Sequence, residues 1–246
     1  MHRFANPGRF LRLATRIQPW LKGLTALGFA LGLYLALWGS PPDYQQGETV
    51  RIMYIHVPAA WMALLAYLIL GLASASALIW RHPLADIAAE AISPVGAAFT
   101  LLALITGSLW GKPMWGTYWV WDARLTSFLL LFFLYLGHMA LLGAFDDRGR
   151  GRRSAAVLAL VGLINLPIIK FSVDWWNTLH QPASIVRMNG PSIDPSMLWP
   201  LFTLAATFHL FLLAVLIERM RTLLLEARLR NQRLAAFDQL QPGSRA

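Results

Sequence analysis

Six long apolar runs, separated by short polar or aromatic segments, dominate the chain. Each run approaches the roughly 20 apolar residues that an α-helix needs to cross a bilayer core. The runs cover residues 22–39, 57–80, 92–109, 127–145, 154–171 and 198–217. A proline inside a helix removes a hydrogen bond, so Pro167 predicts a bend in the fifth run near Leu163. The pattern therefore predicts an all-α polytopic membrane protein with six transmembrane helices.

The composition supports this fold class and narrows the chemistry. Hydrophobic residues make up 57% of the chain and charged residues 13%, which is about half the charged share of ordinary soluble domains. We expect the 246 residues to form one six-helix membrane domain. The sequence contains no cysteine, which excludes disulfides, thiol catalysis and cysteine-ligated clusters. It also lacks a GxxxxGK[ST] phosphate loop, so we expect no ATP hydrolysis of that kind and no enzymatic role.

Basic residues predict the orientation of the helices, because Lys and Arg concentrate on the cytoplasmic side of membrane proteins. Alternate loops divide these residues sixteen to five, in favour of the side that holds both termini. Both termini are therefore expected in the cytoplasm, together with residues 218–246, an amphipathic tail that extends the sixth helix. Three loops are expected on the outer face, at residues 40–56, 110–126 and 172–197.

The second outer loop carries a cluster of large aromatic rings within the segment WGKPMWGTYWVWDARLTS, residues 110–127. The rings belong to Trp115, Tyr118, Trp119 and Trp121, and a carboxylate follows them directly at Asp122. An interfacial belt is one interpretation, since Trp and Tyr favour the headgroup level. So many rings beside a carboxylate exceed what anchoring needs, and they favour an aromatic floor for a flat, mostly apolar ligand. Glycines and a proline predict an irregular backbone in its first half, at Gly111, Pro113 and Gly116.

Two of the six histidines lie in the outer loops. His56 immediately precedes the second apolar run, and His180 follows Trp175 and Trp176 in the third outer loop. Two imidazoles can occupy both axial positions of a haem iron, which leaves no open position for oxygen chemistry. Each residue alone is more simply an interfacial histidine. Together, on the face that carries the aromatic cluster, they predict axial ligation of haem.

Two arginines and Asp122 complete the expected site. A haem propionate is a carboxylate, which a guanidinium binds through two parallel hydrogen bonds. Arg51 lies five residues before His56, and Arg124 lies two residues after Asp122. Both arginines are expected to bind propionates, with lipid headgroups as the alternative partners. Asp122 is expected to orient an arginine or an imidazole.

The segment WGTYWVWD, residues 115–122, fits the WGxxWxWD signature of the tryptophan-rich haem-handling membrane proteins. Within that group the chain resembles the CcmC family of the bacterial cytochrome c maturation system. The resemblance includes PDYQQGETVRIMYIHVPAAW and NLPIIKFSVDWWNTLHQ, and it covers most of residues 42–195. The two histidines that flank the motif in that family correspond to His56 and His180. The motif positions correspond to Trp115, Gly116, Trp119, Trp121 and Asp122, while Tyr118 occupies a free position.

The resemblance implies a haem-delivery protein of the bacterial inner membrane, with its haem site on the periplasmic side. The ligand implied is haem b, bound non-covalently and transported rather than retained. Implied partners are the haem chaperone CcmE, which receives the haem, the ABC transporter pair CcmA and CcmB, and the small protein CcmD. Any ATP hydrolysis then belongs to a partner subunit.

Two other functions also fit the sequence. A membrane redox protein would hold haem inside the bundle, and His138 and His209 lie within the fourth and sixth apolar runs. A scaffold protein would use the tryptophans to bind lipid or a partner helix. The absorption spectrum of the wild type beside a double variant at His56 and His180 separates these alternatives. A redox protein would keep its haem spectrum in that variant, and a scaffold would show no Soret absorption at all.

Overall fold

The computed structural model describes residues 6–180, 184–185 and 187–240, with side chains described up to residue 237. Six helical segments are long and apolar enough to cross a membrane, which confirms the predicted all-α, six-span architecture. The described residues contain helices and connecting turns but no strand. The helices are α1 Pro7–Tyr34, α2 Met53–Trp80, α3 Pro83–Trp115, α4 Ala123–Gly143, α5 Arg148–Gly162, α6 Asn165–Trp175 and α7 Pro195–Leu240.

Several helices extend well beyond the apolar runs that predicted them. The helix α1 begins at Pro7, where the Asn6 side chain accepts hydrogen bonds from the first backbone N–H groups. The helix α7 continues without a break past residue 217 to Leu240. Hydropathy marks only the part of a helix that crosses the bilayer core, whereas helix ends depend on capping. The first span was therefore predicted too short at its start, whereas the helical continuation past residue 217 agrees with the tail expected from the sequence.

The expectation of an irregular backbone over residues 110–115 is wrong. The helix α3 runs through Gly111 and Pro113 to Trp115. It ends at Gly116, whose φ of 75° is the left-handed conformation that a residue without a side chain adopts at little cost. The Gly116 N–H donates to the Lys112 carbonyl at 3.0 Å and closes the last turn. The aromatic segment therefore begins on a helix and becomes a loop only after Trp115.

The fifth segment is broken into two helices, as Pro167 predicts. The helix α5 ends at Gly162 and α6 begins at Asn165. Between them, the N–H groups of Leu163 and Ile164 bond to carbonyls three residues back, at 3.2 Å each. Pro167 cannot donate a hydrogen bond to the carbonyl four residues before it, so the regular ladder stops at Leu163.

The second and third helices form the centre of the bundle. The helix α2 packs along α3 and also contacts α5 and α7, while α1 packs mainly on α7. Large fully buried side chains of α2 and α4 meet in the core, where the rings of Tyr67 and Tyr135 lie 5.0 Å apart. The Tyr135 hydroxyl donates to the Ala63 carbonyl at 2.8 Å. Because α2, α3 and α4 alternate in direction, the start of α2 lies beside the end of α3 and the start of α4.

Candidate functional site

His56 lies in the first turn of α2, with its ring held against α3. Its Nδ1 lies 3.0 Å from the Ala103 carbonyl and 3.1 Å from the Thr106 Oγ1. The Thr106 hydroxyl donates its own proton to the Leu102 carbonyl at 2.7 Å, so it can only accept from His56. The proton of the neutral ring is therefore on Nδ1, and Nε2 keeps a lone pair for a metal.

Gly107 allows this approach of His56 to α3. A Cβ atom at residue 107 would lie 2.9 Å from the His56 Cε1, which is closer than real side chains approach each other. The edge of Trp110, one turn further along α3, packs against the same imidazole at 5.7 Å between ring centroids. The orientation of His56 is thus set by α3 and not by its own helix alone.

His180 follows the end of α6, and its ring meets Trp115 at a centroid distance of 5.0 Å. Its Nδ1 lies 3.6 Å from the Asp122 Oδ2, an electrostatic contact longer than a hydrogen bond. Burial lowers the pKa of His180, and although the Asp122 carboxylate opposes this effect, the nearby Arg124 reinforces it. The imidazole is therefore neutral near pH 7, the form that can ligate a metal.

Asp122 connects three parts of the site. Its Oδ1 accepts from the Leu125 N–H at 2.8 Å and so caps the start of α4. Its Oδ2 accepts from the Leu179 N–H at 3.3 Å, in the segment that carries His180. The carboxylate is 6% exposed. Asp122 therefore fixes the aromatic loop, the start of α4 and the segment that carries His180 relative to one another.

The two histidines line the same pair of adjoining cavities, although they are far apart in the sequence. One cavity has a volume of about 100 Å³ and the other, which is wider, about 410 Å³. Both are lined by His56, His180, Trp115, Arg124 and Phe128. The wider cavity continues along α2 through Val57, Trp61 and Leu64. Aromatic and aliphatic walls with a few polar groups suit a large, mostly apolar ligand.

Only part of the aromatic cluster faces these cavities. Trp115 and Trp119 contribute to the walls, whereas Tyr118 and Trp121 are 57% and 75% exposed. Tyr118 lies under the Lys112 ammonium group, at 5.2 Å from the ring centroid. Trp121 packs edge-on against Trp119 at 5.4 Å. The structure therefore brings two of the four predicted rings to the cavity and leaves the other two on the surface beside it.

Of the two arginines predicted to bind propionates, only Arg124 lines the cavities. Arg124 lines both cavities, and its guanidinium donates to the Ser172 hydroxyl at 3.0 Å and the Ile169 carbonyl at 3.2 Å. Arg51 is not among the lining residues, and it binds instead to the Glu48 carboxylate and the Ala36 carbonyl. It ties the short 3₁₀-helix Glu48–Ile52 to the end of the first span.

Three polar residues of the wider cavity, Gln46, Lys170 and Asp174, were missed from the sequence. Lys170 lies on α6, one turn before Asp174, and both line the cavity. Gln46 reaches the opposite part of the wall from the loop before α2. The signal for Lys170 was its position at the outer end of an apolar run, where a charged residue is rare. Gln46 carries no such signal, because a glutamine in a polar loop is common.

The remaining histidines of the spans lie elsewhere. His138 is buried in α4 and only 2% exposed. His209 bonds through Nδ1 to the Ala205 carbonyl of its own helix at 2.7 Å. Neither residue lines the cavities that contain His56 and His180.

The fold and this site define a polytopic helical membrane protein with a large cavity, lined by two histidines and aromatic side chains, at one end of the bundle. A family model described as "Heme exporter protein C" (CcmC) matches residues 1–235. The chain belongs to this family.

Named relatives agree with the family. The chain is 56% identical over 247 residues to a "Heme exporter protein C" of Bradyrhizobium diazoefficiens, covering 98% of this chain and 94% of the relative. It is 45% identical to the Escherichia coli protein of that name, covering 92% and 91%. It is 44% identical to the Paracoccus denitrificans protein, covering 95% of each. The similarity therefore extends over nearly the whole length of these relatives.

Proposed function

We propose that this chain binds haem as a transported ligand and delivers it for cytochrome c maturation, with His56 and His180 as the axial ligands of the iron. The observation that supports this most strongly is that both imidazoles line the same pair of adjoining cavities. The His56 Nδ1 lies within hydrogen-bond distance of a carbonyl oxygen, which is the arrangement that orients metal-ligating histidines. The His180 Nδ1 lies 3.6 Å from the Asp122 carboxylate, which attracts it electrostatically. The Nε2 atoms are then the ligands.

The walls of the cavity fit the rest of the haem. Trp115, Trp119 and Phe128 offer apolar faces to a porphyrin. Arg124 and Lys170 offer cations to its propionates. Arg51 stays a predicted propionate partner, but it would first have to leave the Glu48 carboxylate or the Ala36 carbonyl. Tyr118 and Trp121 would contact haem only at its exposed edge, or a partner protein that receives it.

The proposed ligand is haem b, held without a covalent bond. The sequence contains no cysteine that could form a thioether to the porphyrin. Release is expected to begin at His180, because residues 176–180 form no helix and Asp122 holds their backbone through a single hydrogen bond at Leu179. His56 lies in a regular helix packed against α3. The chaperone CcmE would receive the haem once the His180 bond is exchanged.

The family resemblance supplies the remaining partners. We propose a complex with CcmA, CcmB and CcmD, in which a partner subunit hydrolyses ATP, since the sequence contains no phosphate loop. The chain itself would be a delivery subunit and not an enzyme. One six-helix domain would include residues 1–246, and residues 218–246 would form a cytoplasmic tail.

The proposed location is the bacterial inner membrane, with both termini in the cytoplasm and the haem site at the periplasmic face. The excess of Lys and Arg on the side of the termini, sixteen to five, supports this orientation. The cavity lies at the other end of the bundle, where α2 and α4 begin and α3 ends.

Single-cysteine labelling tests the orientation, and the chain suits this method because it has no native cysteine. We expect a membrane-impermeant maleimide to label Tyr44→Cys in intact spheroplasts, since Tyr44 is 90% exposed in the first predicted outer loop. Arg150→Cys, at the start of α5 on the other side, should react only after the membrane is permeabilised. The reverse labelling pattern would contradict the orientation.

The function is tested with the purified protein and haem-free CcmE. Protein from haem-replete cells should show the spectrum of low-spin haem with two axial imidazoles, and the haem should be extractable with acid acetone because it is not covalently bound. Incubation with the chaperone should move haem from one protein to the other. Absence of Soret absorption would favour a scaffold role, and a stable haem that does not transfer would favour a redox role.

A further inference from the structure

The loop before α2 presents one glutamine, Gln46, to the wider cavity from a closely bonded turn. The Asp43 Oδ1 accepts from the N–H groups of Gln45 and Gln46 at 2.9 and 2.8 Å. Asp43 and Gly47 also exchange two backbone hydrogen bonds, at 3.2 and 2.9 Å. The Thr49 hydroxyl bonds to the Gln46 carbonyl at 2.6 Å. The backbone at Gln46 is therefore fixed by its own turn.

The side chain of Gln46 is oriented by Trp110. The Trp110 Nε1 donates to the Gln46 Oε1 at 2.9 Å. An indole N–H can only donate, so the oxygen of the amide must face Trp110 and its NH₂ group must face away. No described residue accepts a hydrogen bond from the Gln46 Nε2. The side chain thus lines the cavity with two donors that find no acceptor among the described residues.

We propose that the Gln46 amide donates to a carboxylate of the ligand in this cavity, which for haem is a propionate. This inference rests on the proposed function and adds one binding residue to it. Arg124 and Lys170 supply charge to the same cavity, while Gln46 supplies two donors fixed in direction by a turn and an indole. A fixed donor distinguishes ligands that carry a carboxylate from those that do not, because its N–H groups stay unpaired with the wrong ligand.

A purely structural role is the competing explanation. Gln46 also holds Trp110, whose ring packs against His56 at 5.7 Å. Loss of Gln46 could therefore weaken haem binding by moving Trp110 and the axial ligand. Gln46→Glu separates the two roles, since its carboxylate still accepts from the Trp110 N–H but has no N–H to donate.

The test is a titration of purified haem-free protein in detergent with two probes, haem b and its dimethyl ester, which lacks the carboxylates. We expect Gln46→Glu to bind haem b at least about tenfold more weakly than wild type, because a charge-assisted hydrogen bond is lost and a repulsion is added. The ester should bind to both proteins within about twofold. Gln45→Glu is the matched control, since it adds the same charge at an exposed neighbour that does not line the cavity.

Gln46→Leu tests the same proposed hydrogen bond to a propionate without adding a charge. Because Leu also removes the acceptor of the Trp110 N–H, binding of both probes should weaken, and binding of haem b should weaken several-fold more than that of the ester. Unaltered haem b affinity in both variants would overturn the proposal, and so would an equal loss for haem b and its ester. A wild-type protein that binds both probes with the two-imidazole spectrum shows that haem binding through two histidines stands even when the Gln46 proposal does not.

Discussion

The double variant His56→Ala, His180→Ala is expected to lose the low-spin haem spectrum and to bind haem more than about 100-fold more weakly than wild type. Even residues that merely orient metal ligands contribute about 10–100-fold to affinity, so removal of both ligands should cost more. Each single variant keeps one imidazole and should give a high-spin, five-coordinate spectrum. Absorption spectra and haem titrations of the purified variants measure both effects.

Rescue and control experiments make this prediction specific to the two rings. Added imidazole should restore the low-spin spectrum of each single variant, because the missing ring leaves space for a free one beside the iron. His138→Ala and His209→Ala should keep the wild-type spectrum, since neither side chain lines the cavities. If His138→Ala or His209→Ala abolished the spectrum and the double variant kept it, a redox protein with haem inside the bundle would be the better explanation.

Substitution of Asp122 should have the second largest effect on haem affinity. Two substitutions separate its role as the cap of α4 from its contacts with Leu179 and His180. Asp122→Asn keeps an oxygen that can cap α4 at Leu125, but it places an NH₂ group where the Leu179 N–H and the His180 ring need an acceptor. We expect haem affinity to fall about 10–100-fold, as for other residues that orient metal ligands. The thermal stability of the haem-free protein should change little, because Asn is a good helix cap.

Asp122→Ala removes the cap as well. It should show the same loss of haem affinity together with a loss of stability of about 0.5–2 kcal/mol. Asp147 offers a matched control, since it caps α5 through the Gly149 N–H at 2.8 Å and lies outside the cavities. Asp147→Ala should lower stability to a similar extent and leave haem affinity unchanged. An Asp122→Asn protein with wild-type affinity would show that the carboxylate acts only as a helix cap.

The chemistry of the site depends on contacts between segments that are distant in the sequence. The contacts of the His56 Nδ1 with Ala103 and Thr106 on α3 fix which nitrogen of the ring carries the proton. His180 faces a carboxylate that belongs to the aromatic loop. Because the two rings are held by different elements, the proposed release at His180 would leave His56 in place. This asymmetry is suited to a protein that binds its ligand only to pass it on.

The sequence by itself determined the class of fold and the residues around which the site is built. Long apolar runs specify membrane helices through composition alone, since every backbone polar group in lipid must be paired within a helix. Pro167 predicted the break between α5 and α6 by the same local reasoning, because a proline removes a hydrogen bond whatever surrounds it. The WGTYWVWD motif indicated the broader tryptophan-rich group, and the segments PDYQQGETVRIMYIHVPAAW and NLPIIKFSVDWWNTLHQ narrowed it to the family.

The tertiary structure alone decided which side chains face the cavity. Trp115 and Trp119 line it while Tyr118 and Trp121 do not, although all four lie within seven residues. Lys170 lines it, whereas Arg51 is bound to Glu48 and to the end of the first span. In a loop the direction of a side chain has no period, so it follows from the long-range hydrogen bonds and ring contacts that fix the backbone. Those contacts cannot be predicted from composition or from the spacing of residues along the chain.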